Sequence, residues 1–249
     1  MNNKVIYTSL TGGYDNLPQY PVIDPSFDYV CFSNDYPANV RIGQWLIKPI
    51  PLENGDSLQM SRYAKLLPHE VLPEYQWSIW MDSNLEINHK EIYEAFKKCI
   101  RRNDKWSGIV HPSLDCIYMD IKACLQQGKI HYSQILSNIA FLRKEHYPRN
   151  NGLFENNIIL RAHNSEIVKE IDNLWWEYFQ KYAHRDQFSL YYIFWKKNFP
   201  PSLIFASDLN THNMSGIQFR HHSKLRPMQR ARRKLRVIQN RIFLLFNRL

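Results

Sequence analysis

The chain has 249 residues, 44% of them hydrophobic, which is enough to bury one large α/β core. Its formal charge of +9 is not spread evenly: residues 224–249 hold nine Lys and Arg and no acid, leaving 23 basic against 23 acidic residues in the rest. A neutral body with a basic tail argues against a domain whose main face binds nucleic acid. Four cysteines (Cys31, Cys99, Cys116, Cys124) at irregular spacing exclude a zinc knuckle and a disulfide framework, and favour a reducing compartment. The start carries no charged and apolar leader, and no run of 18 apolar residues occurs, so the expectation is a cytoplasmic protein rather than a secreted or spanning one.

In chain order, residues 4–9 alternate like an opening strand, and LTGGYDNL follows as a glycine-containing loop. Gly12-Gly13 suits a nucleotide pocket, flanked by Thr8 and Tyr14, or an ordinary turn; neither GxGxxG nor a Walker A pattern is present. DYVCFS, residues 28–33, reads as a second strand ending in Asn34-Asp35, where Asp35 can meet a ribose or a base, or cap the turn. Residues 56–67 read as a helix with Asp56 or Ser57 as N-cap. Arg62 and Lys65 share a face of it, with His69 in line if the turn continues past Pro68; the pair can meet a diphosphate or form a solvated helix face.

The stretch QWSIWMDSNLEI organises the chain. Residues 77–81 read as a buried strand that stops at Asp82-Ser83-Asn84. An acid beyond the carboxyl end of a strand in an open α/β sheet can hold a cation against a bound phosphate, or simply leave the strand through a turn. Residues 91–102 form a packing helix with Ile92, Phe96 and Ile100 at intervals of four. Residues 107–110 suggest a strand ending at His111, and residues 119–127 a helix bearing Asp120. Glu155, Asn156 and Asn157 stand at the entrance of a strand at 157–161, placed to grip sugar hydroxyls or to close the turn. An aromatic-rich helix at 167–182 precedes Asp186, which by local physics caps the helix holding Phe188, Tyr191, Tyr192 and Trp195. A late strand at 202–206 and three histidines, His212, His221 and His222, follow.

From Pro227 the tail reads as a helix in which Leu235, Ile238, Ile242, Leu245 and Leu249 recur at three and four, most arginines lying off that stripe. Such a helix suits an anionic bilayer surface, the inner face of the membrane, ahead of a partner helix or an RNA-binding arm.

Together IYTSLTGGYDNL, DYVCFSND, SRYAKLLPHEVLPEYQWSIWMDSNLEI, HPSLDCIYMD, NNGLFENNIILRAHN and LWWEYFQKYAHRDQFSLYYIFWK resemble a known family. It is the glycosyltransferase-like domain shared by bacterial capsule and lipopolysaccharide proteins and plant Golgi proteins of mucilage synthesis. The segments run in family order from about residue 5 to residue 197. The resemblance implies a GT-A fold, a Rossmann-like α/β sheet over residues 1–223 with residues 224–249 as a basic amphipathic helix, and a nucleoside-diphosphate sugar such as a UDP-sugar as donor. It implies that Asp82 and Asn84 are the DxD-like pair holding Mn²⁺ or Mg²⁺, although the second carboxylate is here a carboxamide with less charge to offer. A more distant similarity to glycogenin-type transferases implies a late histidine as third metal ligand, in the order His222, His221, His212. The same similarity sets Arg62 and Lys65 near the donor, Asp186 on donor hydroxyls and Gln187 beside the anomeric carbon. His111 and Asn156 are weaker candidates for the sugar or acceptor pocket.

The implied reaction is transfer of a hexosyl group to a hydroxyl of a surface glycan, lipid-linked, with retention if the glycogenin similarity extends to chemistry. Inversion would need a base such as Asp115, Asp120 or Glu155. The rival classes are a metal-dependent hydrolase built on Asp82 and a non-catalytic scaffold docked on membranes.

Overall fold

The computed structural model describes residues 2–13, 15–182, 185–220 and 227–247. These divide into two interleaved compact units. The first comprises Met1–Pro112, Glu155–Trp176 and Pro200–Ser223, and the second Ser113–Phe154, Glu177–Phe199 and Lys224–Leu249. The C-terminal segment, set apart in the sequence by its charge, thus groups with two internal segments of the chain.

The first unit is an eight-stranded sheet in the order β3-β4-β2-β1-β5-β8-β7-β9. Its strands are β1 (Lys4–Leu10), β2 (Asp28–Ser33), β3 (Arg41–Ile42), β4 (Trp45–Lys48), β5 (Trp77–Met81), β7 (Trp106–Gly108), β8 (Ile158–Arg161) and β9 (Ser202–Leu203). β6 (Leu85–Ile87) and β10 (Ile217–Phe219) form a separate antiparallel ribbon. The central strands β4, β2, β1 and β5 are parallel. β1 and β5 are mostly apolar because both faces are covered: every residue of β5 is buried, and so is every residue of β1 after Lys4, with Thr8, Ser9 and Ser78 as small polar exceptions. β8 runs antiparallel to both β5 and β7, so the sheet is mixed.

From β1 the chain goes to β2 and β4 on one side, then crosses to β5 on the other. The order therefore reverses between β1 and β5. That is the topological switch point at which open α/β sheets leave a crevice beyond their carboxyl ends.

Helices α1 (Ser57–Leu66), α2 (Pro68–Val71) and α3 (Lys90–Arg101) belong to this unit. Asp56 caps α1 in a reciprocal capping box with Gln59. The α1 turn does not run through Pro68: Leu67 leaves helical geometry and Pro68 opens α2, so His69 points to Asn173, at 3.1 Å.

The second unit is helical, with α4 (Ile117–Gln126), α5 (Leu136–Lys144), the end of α6 (Glu166–Lys181), α7 (Leu190–Lys196) and α8 (Pro227–Phe246). Its centre is aromatic. Phe141 stacks on Tyr182 with ring centroids 4.3 Å apart and meets Tyr192 edge-on at 5.0 Å. Gly152, at φ +93°, leaves the room that Tyr191 needs, since a Cβ there would fall 2.2 Å from the Tyr191 ring. Asp186 is not the cap of α7. Residues Asp186–Phe188 form a 3₁₀ turn with Arg185 at its cap position, and α7 starts after Ser189 without a side-chain cap.

Candidate functional site

Three strand ends meet at the switch point. β1 ends in the Gly12-Gly13 loop, β2 in Asn34-Asp35 and β5 in Asp82. Both glycines take left-handed backbone, φ +71° and +61°, and their N–H groups donate to the two carboxylate oxygens of Asp35, at 3.2 and 2.9 Å. A Cβ on Gly12 would strike Ser57 Oγ at 2.7 Å, so the loop lies tight on the start of α1. Asp35 is thereby a brace of the loop, with its exposed edge left to solvent. Thr8 is fully buried within β1 and faces no solvent. Tyr14 lies outside the described residues.

The centre of the arrangement is Lys65. Far from a solvated helix face, it is 2% exposed, with its ammonium 3.3 Å from Asp82 Oδ1 and over the Trp80 ring at 5.3 Å. The Trp80 indole N–H donates to the same oxygen at 2.7 Å. The backbone carbonyl of Lys65 accepts from Arg161 Nη2 at 2.6 Å and from the Tyr7 hydroxyl at 3.1 Å. Arg161 is in turn paired with Asp172 at 2.8 Å, both fully buried. Burial pushes the Asp172 carboxyl above its ordinary value, and the guanidinium offsets only part of that rise. A sealed ion pair between the end of β8 and the helix at residues 166–181 thus fixes the residue whose ammonium lies beside Asp82, while Asp82 itself stays 37% exposed. Arg62, one turn earlier, donates weakly to Ser61 Oγ at 3.4 Å, and Ser61 in turn meets Ser9 Oγ at 2.8 Å.

The turn after β5 is held from several sides. Asp82 N–H donates to Asn157 O at 2.9 Å, Ser83 Oγ to Asp15 at 3.3 Å, and Arg220 N–H to Asn84 O at 2.7 Å. Next to Asn157, Asn156 adopts φ +58° and buries a side-chain oxygen that finds no hydrogen-bond partner. Glu155 receives the N–H and hydroxyl of Thr211, at 3.2 and 2.7 Å, and the Nε2 of His212 at 3.1 Å. His212 stacks on Phe219 at 4.7 Å. His111, half-buried, follows β7 by three residues.

The structure thus gathers Lys65, Asp82, Asn84 and Asp35 at the strand ends, with Glu155 to Asn157 anchored to the same turn. The pairing of Glu155 with His212, 57 positions along the chain, carries no sequence signal, and neither do the supports from Trp80, Asp15, Tyr7 and Arg161. Asp186 and Gln187 lie in the second unit. Asp186 is buried there, and Gln187 Oε1 accepts from Arg185 at 2.6 Å.

Among the described residues no group of three or more His, Cys, Asp or Glu is placed to hold a metal ion. Asp82 and Asn84 offer two hard oxygen donors of the kind Mg²⁺ and Mn²⁺ prefer, although Lys65 already neutralises the one carboxylate. The third ligand expected, His222, and its alternative His221 lie outside the described residues, and His212 is engaged with Glu155.

The chain matches the family model described as TOD1/MUCI70, glycosyltransferase-like domain, over residues 26–221. It is 25% identical over 163 residues to the probable hexosyltransferase MUCI70 of Arabidopsis thaliana, a match spanning 61% of this chain and 28% of that protein. Among solved structures it is similar to mouse xyloside xylosyltransferase 1, with 9% identity, 81% and 83% of the two chains covered and a TM-score of 0.42. It is also similar to core-mannan synthase A of Aspergillus fumigatus in its Mn/GDP form, with 11% identity, 77% and 69% covered and a TM-score of 0.40.

Proposed function

Because the chain belongs to the TOD1/MUCI70 glycosyltransferase-like domain family, we propose that it transfers a hexosyl group from a nucleoside-diphosphate sugar to a hydroxyl of a lipid-linked surface glycan. The observation that carries this reading is the buried Lys65 ammonium held beside Asp82 at the carboxyl end of β5. A diphosphate leaving a sugar gains negative charge as the bond from the anomeric carbon to the phosphate oxygen breaks. A cation fixed before the reaction stabilises that charge without having to reorganise. Lys65 meets this requirement, because Arg161 and Tyr7 hold its backbone and Trp80 supports its side chain.

In the proposed pocket the Gly12-Gly13 loop and Asp35 receive the nucleoside, Arg62 adds charge near the phosphates, and Asn156 and His111 serve sugar or acceptor hydroxyls. Asp186 and Gln187, in the second unit, are proposed for the donor sugar from the resemblance alone. A bound Mn²⁺ or Mg²⁺ would be held by Asp82 and Asn84 and would add positive charge at the diphosphate. With retention, the acceptor oxygen bonds to the anomeric carbon on the face the phosphate leaves, and its proton passes to the departing phosphate oxygen.

The test is thermal stability in the presence of UDP, GDP and CMP and their sugars, each with and without Mn²⁺. A ligand that binds only the folded chain raises its apparent stability, by about 2.7 kcal/mol at a hundred times its Kd. One nucleotide class is expected to raise the melting temperature, and Lys65→Met to abolish that rise. No rise with any nucleotide sinks the proposal.

A further inference from the structure

The amphipathic tail helix is mounted the reverse of the usual way. In a surface helix of a globular protein the apolar stripe faces the core. In α8 the side facing the second unit is polar. Asn240, fully buried, donates through Nδ2 to Leu125 O and Ile130 O, at 2.9 and 2.8 Å, and accepts the Tyr132 N–H at 2.9 Å. Arg233 donates to Gln127 O at 2.9 Å and Arg236 to Lys129 O at 3.3 Å. These bonds meet carbonyls at the C-terminal end of α4 and in the turn just beyond it, where cationic donors are favoured. Gly128, at φ +64°, permits the approach, since a Cβ there would fall 2.7 Å from Val237. Phe243, stacked on Tyr132 at 4.9 Å, is the one aromatic ring of α8 described in a stacking contact.

Leu235, Ile238, Ile242 and Leu245 are each more than half exposed. At about 100° per residue their mean direction lies roughly 180° around the helix from Asn240. Phe246, also exposed, lies beside the same stripe. The apolar face is therefore turned directly away from the unit that holds the helix, and hydrogen bonds on the opposite face fix it there.

The spacing of three and four would also suit self-pairing of two such helices. Charge decides between the occupants. Lys234 and Arg241 border the stripe on one side and Arg232 on the other, all exposed, and the segment from residue 224 onward has no acid. A second copy would bring like charges together along the seam, whereas anionic headgroups complement them. No described helix is long and apolar enough to cross a membrane, so the fit is to the interface.

We propose that the outward face of α8, Leu235, Ile238, Ile242 and Leu245 bordered by Lys234 and Arg241, docks the protein on an anionic lipid bilayer. The inference is independent of the transfer reaction, because docking is read with neither donor nor acceptor present.

The test is co-sedimentation of the full chain with vesicles of phosphatidylcholine alone and of phosphatidylcholine mixed equally with phosphatidylglycerol. The chain is expected to sediment with the anionic vesicles, less so at high salt, and not with the neutral ones. Ile238→Gln/Ile242→Gln/Leu245→Gln, and separately Lys234→Glu/Arg241→Glu, should each weaken binding by roughly tenfold or more, with unchanged circular dichroism and melting temperature because all five positions are exposed. Equal binding by both variants, or equal binding to neutral vesicles, overturns the proposal. So does a wild-type chain that ignores vesicles but forms a dimer which the Gln variant dissolves, since the face would then belong to a second copy.

Discussion

Two of the ion pairs described in the first unit are of opposite design. Arg161 and Asp172 are 2.8 Å apart and wholly sealed; Lys65 and Asp82 are 3.3 Å apart, the cation buried and the carboxylate 37% exposed. The sealed pair has no access to a ligand and acts on the sheet. The open pair presents its carboxylate to solvent, with the ammonium buried behind it. Proximity in the fold links them, because Arg161 also holds the Lys65 carbonyl. A buried pair adds little net stability, but breaking one side leaves an uncompensated charge in the core.

The largest expected effect follows from this contrast. Arg161→Met should destabilise the protein by about 3–5 kcal/mol in urea unfolding, through the stranded Asp172. Arg161→Met/Asp172→Leu should recover a good part of the loss, since it removes the stranded charge as well. If the double variant is no better than the single one, packing and not charge decides the role of the sealed pair.

His163, at the end of β8 beyond Arg161, makes the sealed side sensitive to acid. Its Nε2 lies 2.9 Å from Leu72 O, while Nδ1 is buried without a partner, so the ring is held neutral. Burial lowers its pKa to about 4 from 6.5, and the Arg161 charge adds to the fall. Between those values the unfolded chain takes up the proton that the folded chain refuses. The stabilisation is therefore complete above about pH 6.5 and is lost as the pH falls through about 4, a swing of about 3 kcal/mol. Urea midpoints across that range should fall less steeply in His163→Gln than in the wild type. Parallel curves would show that His163 does not bring this sensitivity.

The open pair should behave in the opposite sense, losing function while stability holds. Asp82→Asn keeps an acceptor for Trp80 and Lys65 and removes only the charge. Turnover with the donor identified by thermal shift should drop roughly 100-fold, about 2.7 kcal/mol in barrier, with the urea midpoint nearly unchanged. Wild-type turnover in this variant would remove Asp82 from the proposed chemistry.

The two pairs also mark what the sequence makes legible. The run WSIWM ending at Asp82 announces both the strand and the residue at its end, because a doubly covered parallel strand is predominantly apolar. The α/β class follows from several such runs. The burial of Lys65 is not legible, since it depends on Trp80 and on Arg161, 96 positions away. The direction of β8 is hidden too, because IILR reads alike whichever way it runs. In α8 the apolar periodicity is plain, but its outward direction is not. That direction is set by one Asn and two Arg against carbonyls more than a hundred positions earlier. At Asp186 the local cap reading fails because a 3₁₀ turn and Ser189 intervene before α7. Periodicity thus reports what is buried along one element, and long-range hydrogen bonds decide where polar residues end up.

The smallest expected effect tests how far the open pair depends on its own helix. Lys65 sits in the last turn of α1, whose first turn is fixed by the Asp56–Gln59 capping box. Asp56→Ala removes one side-chain acceptor at the helix start and should cost about 1 kcal/mol. If α1 alone positioned Lys65, fraying at Ser57 would also weaken nucleotide binding. The Lys65 carbonyl is instead held by Arg161 and Tyr7, and its ammonium by Asp82, all outside α1. Asp56→Ala should therefore lower the urea midpoint slightly and leave the nucleotide Kd within about twofold, a difference of roughly 0.4 kcal/mol. A larger loss of affinity would mean that the N-terminal turn of α1, with the Gly12-Gly13 loop packed against Ser57, itself shapes the nucleotide pocket.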